Sequence, residues 1–313
     1  MKNTDIQYIK SLCDEYGYPD GSFEALEAAY NKVWANGEAR AVFEDIRSGY
    51  EASVPAEYDF PAVLGRIDAL EEKTGVSKYT LHFLNYLLLT PKMREHYVER
   101  GIDLQIFRDS MDDFRLKLVE CLRLHGIYGT HAPSWHKYFL KIELFTLGRL
   151  QFHVVKSSKK GKVCGVSIEE GTPVLNTHIP SSGPLKIEDC LDSYRRAEKF
   201  FKGTFPEGEP TVFMCDSWLL FPEHSIMLPE TSGIRRFAEQ FTIIHARYSA
   251  PGERPWVIFH ENKDLPADQL PENTSLERAY KERYVKGLPT GSACGVIIFK
   301  DGKILNIGRD RML

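Results

Sequence analysis

No stretch of this chain approaches the roughly 18 consecutive apolar residues that a membrane-spanning helix needs, although 42% of its 313 residues are hydrophobic. The apolar content is therefore expected to go into a core rather than a bilayer, with no membrane partner. Met1 to Asp5 runs straight into a helical pattern without the basic and apolar regions of a signal peptide, so a cytoplasmic protein is expected. The six cysteines (Cys13, Cys121, Cys164, Cys190, Cys215 and Cys294) include no CxxC pair and no Cys/His grouping at metal-ligand spacing. Reduced thiols and no metal follow. A formal net charge of -4 gives no field that would gather nucleic acid. The one basic run, Lys156 to Lys162, reads as a solvated hairpin tip. Internal repeats and low-complexity segments are also lacking.

What the sequence does contain divides in two. Up to residue 126 apolar residues recur at helical spacing between glycines and prolines. Ser22 is placed to cap a helix carrying Phe23, Leu26, Tyr30, Val33 and Trp34, closed by Gly37. Phe60-Pro61 opens a second, closed near Gly75. A third runs from Ser77 to Leu89 and is expected to stop before Pro91. The stripe from Leu104 through Phe107, Met111, Phe114, Leu118 and Leu122 makes a fourth, ending at Gly126. These stripes read as core faces, and no catalytic group is expected in this half.

After Gly126 the pattern shifts to short β-prone runs: Tyr138–Leu144, Leu150–Val155, Lys162–Ile168, Val174–Ile179, Thr211–Leu220, Phe241–Tyr248, Trp256–His260 and Cys294–Phe299. Helical stretches at Ile187 to Phe201, Ile234 to Phe241 and Leu276 to Tyr284 interrupt them. The last is opened by Thr274 with Glu277 in capping-box spacing. The expectation is an α+β protein, with a helical domain over 1–126 and a mixed β-sheet domain with flanking helices over 127–313.

The stretch from Thr172 to Lys186 is a strand that breaks into a Ser/Gly/Pro loop and then opens a helix. Backbone N–H groups at such a helix start lack intrahelical partners and carry partial positive charge, which suits a pyrophosphate. Asn176-Thr-His-Ile-Pro180, Gly183-Pro-Leu185, Ser193 to Phe201, Cys215 to Leu220, Leu228-Pro229, Thr231 to Phe237 and Thr274-Ser-Leu276 together resemble the GNAT-like C-terminal domain of bacterial acyltransferase domain-containing proteins. The helical half is similar to the N-terminal domain that accompanies it. The resemblance implies acyl transfer from an acyl-CoA co-substrate, with acetyl the expected group and an amine on a small molecule the expected acceptor. It also implies that main-chain groups of Leu175, Asn176, Thr177 and Ile179 meet pantetheine, and that Ser181, Ser182, Gly183 and Leu185 meet pyrophosphate.

One departure stands out. The family loop reads Gln or Arg, two residues, Gly, one residue, Gly or Ala, whereas only Gly183 remains here and Pro184 has no N–H to donate. Two outcomes fit this departure: the hydroxyls of Ser181 and Ser182, with charge from Arg195 or Arg196, replace the missing donors, or the loop has lost CoA. By strand order, Cys215, Asp216 and Trp218 would reach the substrate cleft, with Cys215 and Ser217 on one face and Asp216 and Trp218 on the other. Candidate proton-transfer groups are His178, then Ser217, then Glu143. Glu143 and His153 lie on early strands and equally fit solvated positions. The resemblance implies direct attack of the amine on the thioester; a hydrolase using Cys215 or Ser217 as a covalent nucleophile is disfavoured, because neither sits in a nucleophile-elbow pattern. The alternative is a non-catalytic module that binds acyl-CoA or another small molecule.

Overall fold

A computed structural model describes residues 2–250, 253 and 256–306; the end of the expected second domain, 307–313, lies outside the described residues. The chain forms two compact units, 1–146 and 147–313.

The first unit is helical: α1 (Lys2–Tyr16), α2 (Ser22–Ala35), α3 (Gly37–Ala52), α4 (Phe60–Asp68), α5 (Leu70–Thr74), α6 (Lys78–Glu99), α7 (Leu104–His125) and α8 (Pro133–Leu140). α6 is the centre, with residues 80–90 buried on every face. Tyr86, Leu87 and Phe83 have no exposed surface. Gly37 opens α3 instead of merely closing α2, and the Asn36 side chain accepts from Glu38 and Ala39 N–H at 3.1 and 3.0 Å. Ser22 is the first residue of α2, not its cap; Gly21, at φ 81°, takes that place.

The expected stop before Pro91 does not occur, since α6 continues to Glu99. Pro91 has no N–H for the Leu87 carbonyl four residues back. The Thr90 hydroxyl donates to that carbonyl at 2.7 Å, and Tyr8 meets the same hydroxyl at 2.7 Å. Burial of the whole segment then outweighs the local cost of a proline.

The run Tyr138–Leu144, expected as a strand, instead ends α8, and Ile142 turns the chain at φ 55°. Gly126 is the left-handed C-cap of α7, and the division between units falls at Thr146 because α8 packs on α4 and α6.

A short strand, β1 (Phe145–Leu147), leads out of the first unit. The second contains β2 (Leu150–Lys156), β3 (Gly161–Val163), β4 (Val166–Ile168), β5 (Pro173–His178), α9 (Ile187–Phe200), β6 (Thr211–Ser217), α10 (His224–Met227), α11 (Gly233–Ala238), β7 (Thr242–Tyr248), α12 (Trp256–Phe259), α13 (Ser275–Val285), β8 (Gly291–Lys300) and β9 (Lys303–Ile304). From β2 onward the main sheet runs β2-β5-β6-β8-β7, with β9 on β8. The expected strand Lys162–Ile168 is a two-stranded hairpin. Cys164 and Gly165, at φ 49° and 82°, supply the two positive dihedrals of a tight hairpin turn. Val163 and Ile168 press on Val174, Val212, Val296 and Ile298, covering one face of the sheet. Trp256–His260, expected as a strand, opens α12. The Thr274–Glu277 capping box forms as expected.

Candidate active site

The parallel pairing of β5 with β6 covers two positions, Leu175 with Phe213 and Asn176 with Met214. On its other side β5 stays paired with β2 through His178, and β6 stays paired with β8 through Ser217. Past Asn176 and Met214 each strand is therefore held by its outer neighbour alone, and the sheet is split between them. Main-chain groups lining such a seam lack ladder partners, so an extended ligand with amide groups can take their place. Thr177 lies at the start of the seam, and its buried Oγ1 has no hydrogen-bond partner among the described residues.

Alternation divides the site residues between two faces. Leu175 and Thr177 share a face with Phe152, Phe213 and Cys215. The rings of Phe152 and Phe213 lie 5.4 Å apart, and Tyr194 of α9 sits 4.9 Å from Phe213. Cys215 is 1% exposed, and burial pushes its thiol well above the usual range. It packs as a small hydrophobe instead of opening into a cleft. Ser217 falls on this same face and uses its hydroxyl to accept from Leu219 N–H at 3.2 Å.

The opposite face carries Asn176, His178, His153 and Gln151. His178 Nε2 lies 3.0 Å from Asn176 Nδ2 and 3.1 Å from His153 Nδ1, and the two imidazoles stack at 4.9 Å. His153 is 8% exposed rather than solvated, and burial lowers its pKa to about 4. Asp216 takes this face one strand away, where it is exposed and paired with Arg247 at 3.0 Å. Trp218 follows the end of β6 and packs edge-on against His224 and Tyr280. The His224 ring is fixed from both sides: Nδ1 donates to the Leu219 carbonyl at 3.1 Å, and Nε2 accepts from Tyr280 at 2.7 Å. Glu143 belongs to the first unit, exposed in the turn after α8, with its N–H on the Tyr138 carbonyl.

The loop after β5 is organised by a residue that no sequence motif singles out. Arg149 donates to the carbonyls of Pro180, Gly183 and Pro184 at 3.0, 2.7 and 3.1 Å. Because a trans peptide places C=O and the following N–H on opposite sides, the N–H groups of Ser181 and Leu185 point away from the guanidinium. Gly183 takes φ 106°, a conformation suited to glycine. Gly233, at the start of α11, approaches the Leu185 carbonyl so closely that a Cβ would sit 2.5 Å from it. The first turn of α9 carries Glu188 and Asp189, which oppose an anion there. Arg195 and Arg196 lie further along α9, engaged with the Gly302 carbonyl and Asp192. Arg149 precedes a strand without any recognisable signature, so its role emerges only when the loop folds over it. Among the described residues no group of three or more His, Cys, Asp or Glu could hold a metal ion.

A mixed sheet split between adjacent parallel strands, with a loop and helix following the first, defines the GNAT-like acyltransferases. Residues 144–297 match the model of the GNAT-like C-terminal domain, and residues 7–142 match that of the N-acyltransferase N-terminal domain. The chain thus carries an N-acyltransferase N-terminal domain followed by a GNAT-like C-terminal domain. No curated protein matches it. Similar solved structures include an acyltransferase in complex with decanoyl-CoA, 22% identical with a TM-score of 0.72 over 93% of this chain and 87% of that one. Another is an acyltransferase in complex with CoA and 10C-teicoplanin, 24% identical with a TM-score of 0.70 over 93% and 87%. A mutant acyltransferase with octanoyl-CoA is 23% identical with a TM-score of 0.68 over 94% and 88%.

Proposed function

We propose that this protein moves an acyl group from acyl-CoA to an amine of a small-molecule acceptor by direct attack, with His178 as the general base. The observation that carries the reading is the seam between β5 and β6, where main-chain groups past Asn176 and the unpartnered Thr177 hydroxyl fit an extended amide-bearing ligand. Leu175 to Ile179 are proposed to line pantetheine, and Ser181, Ser182, Gly183 and Leu185 to meet pyrophosphate above the Arg149 anchor. The thioester supplies the activated acyl group. The amine nitrogen bonds to its carbonyl carbon, the C–S bond breaks, the amine proton passes to His178, and the thiolate leaves to be protonated.

The acyl group proposed is of medium length, on the strength of the octanoyl- and decanoyl-CoA held by similar structures, and acetyl is the competing length. Ser217 and Glu143 are not given roles in this scheme, because one caps a turn and the other lies in the first unit. Acidic residues in the first turn of α9 and the missing Pro184 N–H favour the second reading, a module that binds without turnover.

Thermal shift across an acetyl-to-decanoyl series of CoA thioesters tests binding. A ligand at about 100 times its dissociation constant adds about 2.7 kcal/mol to the folded state, so a rise in melting temperature is expected, largest for the medium chains. Silence from the whole series would overturn the proposal. Shifts without thiol release in the presence of a panel of amines would select the non-catalytic module.

A further inference from the structure

The apolar stripe of α2 ends in a residue that does not finish in the core. Tyr30 is fully buried, and Trp34, one turn on, stacks on it at 3.9 Å yet stays half-buried. One face of the indole is thereby covered, and the rest borders a cavity of about 680 Å³ formed by α2, α3 and α6 of the first unit. Phe43 stands edge-on to Trp34 at 6.0 Å, and Leu88 of α6 extends this apolar wall. The volume is in the range of pockets that enclose small organic molecules.

Asn85 interrupts the wall. It lines the cavity from the middle of the buried run of α6, is 1% exposed, and its Nδ2 has no hydrogen-bond partner among the described residues. A buried amide left unpaired destabilises a fold, so packing alone gives no reason for an asparagine between leucines at 84, 87 and 88. The charged residues of the lining do not make an anion site. Arg40 is paired with Glu44 at 2.8 Å, and Arg47 with Glu51 and with Asp5 at 3.0 Å each. An entering acid would meet these carboxylates and an entering amine the arginines, so the charge pattern selects neither.

We infer that this cavity binds an uncharged aromatic molecule that carries an amide edge, a C=O and an N–H side by side. Asn85 offers a donor and an acceptor side by side, and its terminal torsion is soft, so such an edge pairs with it in either orientation of the side-chain amide. Trp34 and Phe43 pack against the ring body, for which aromatic walls are well suited. Every lining residue lies in the first unit, so the site is additional to the seam between β5 and β6, and the inference stands whichever acyl group that seam takes.

The probes 2-naphthamide, 2-naphthoate and naphthalene share one ring body and differ in what they offer Asn85. Calorimetric titration of the full chain is expected to show the amide binding at least about tenfold tighter than the other two, the worth of one hydrogen-bonded edge to a buried partner. In NMR of the side-chain amides, the Asn85 signal, assigned by its loss in Asn85→Leu, should shift on adding 2-naphthamide. Asn85→Leu should erase the advantage of the amide over naphthalene, and Asn85→Ala serves if the leucine variant does not fold. No binding of 2-naphthamide at millimolar concentration, equal affinity for the three probes, a preference for the carboxylate, or an amide affinity unchanged in the Asn85 variants would each overturn the inference.

Discussion

At the scale of single residues, His178 and Cys215 fall on opposite faces of one strand pair, both of them packed. His178 and Cys215 lie on adjacent strands, yet alternation turns His178 toward His153 and Asn176 while Cys215 goes beneath the sheet among Phe152, Phe213 and Tyr194. His178→Ala is expected to lower turnover by about 10²–10⁴-fold, the usual contribution of a positioned base, while acyl-CoA binding measured by calorimetry stays nearly unchanged. Cys215→Ala should cost on the order of 1 kcal/mol of stability and leave activity intact. Intact mass after incubation with acyl-CoA alone should show no adduct; an acylated protein together with an inactive Cys215→Ala would make Cys215 the nucleophile. The place of His178 at the end of a strand ahead of the Ser/Gly/Pro loop was legible in the sequence. His153 looked like a solvent-facing position in an alternating strand, and only the covering of that face buries it.

Two elements hold because one side chain replaces what the backbone lacks. In α6 the Thr90 hydroxyl serves the Leu87 carbonyl that Pro91 leaves open. Thr90→Val should therefore cost about 1–3 kcal/mol by urea titration, as expected for a buried acceptor left unpaired. Pro91→Ala restores an N–H to that carbonyl, so the same valine should cost less in its background, and additive losses would refute the account. In the loop between β5 and α9, Arg149 gathers three carbonyls. Arg149→Ala should loosen the loop and weaken CoA binding about tenfold or more. Arg149→Lys should not restore it, since one ammonium cannot reproduce the planar fork. Unchanged CoA affinity in Arg149→Ala would remove this loop from the binding site.

Across the molecule, buried neutral histidines couple stability to pH. Burial lowers His153 and His224 to about 4 in the folded protein, whereas an unfolded histidine titrates near 6.5. Between those values the unfolded chain binds more protons, so stability falls as pH drops through the window and is unaffected by these groups above it. Each ring lowers stability by at most roughly 3 kcal/mol once the pH is below both values, at about 1.36 kcal/mol for each pH unit that separates them. His82, His131 and His136 in the first unit are lowered by burial in the same direction. Denaturation midpoints should be flat from pH 8 to 7 and decline steadily below about 6.5; a flat profile down to pH 5 would contradict the burial of these rings as neutral groups.

The sequence by itself determined the order of the two halves, the GNAT-like resemblance, the ends of α7 and α13, and the strand–loop–helix from β5 to α9. Each of these is written in local chemistry: the Gly126 cap, the Thr274–Glu277 box, the change of apolar period after Gly126, and a run of small turn residues. Only tertiary structure decided that α6 passes through Pro91, that Tyr138–Leu140 is helical, that Lys162–Ile168 folds back on itself, and that Arg149 anchors the loop. These outcomes depend on partners far apart in sequence, and burial against them outweighs local preference. The split between β5 and β6 is of the same kind, because each strand ends its pairing with the other and continues with a neighbour that local sequence does not specify.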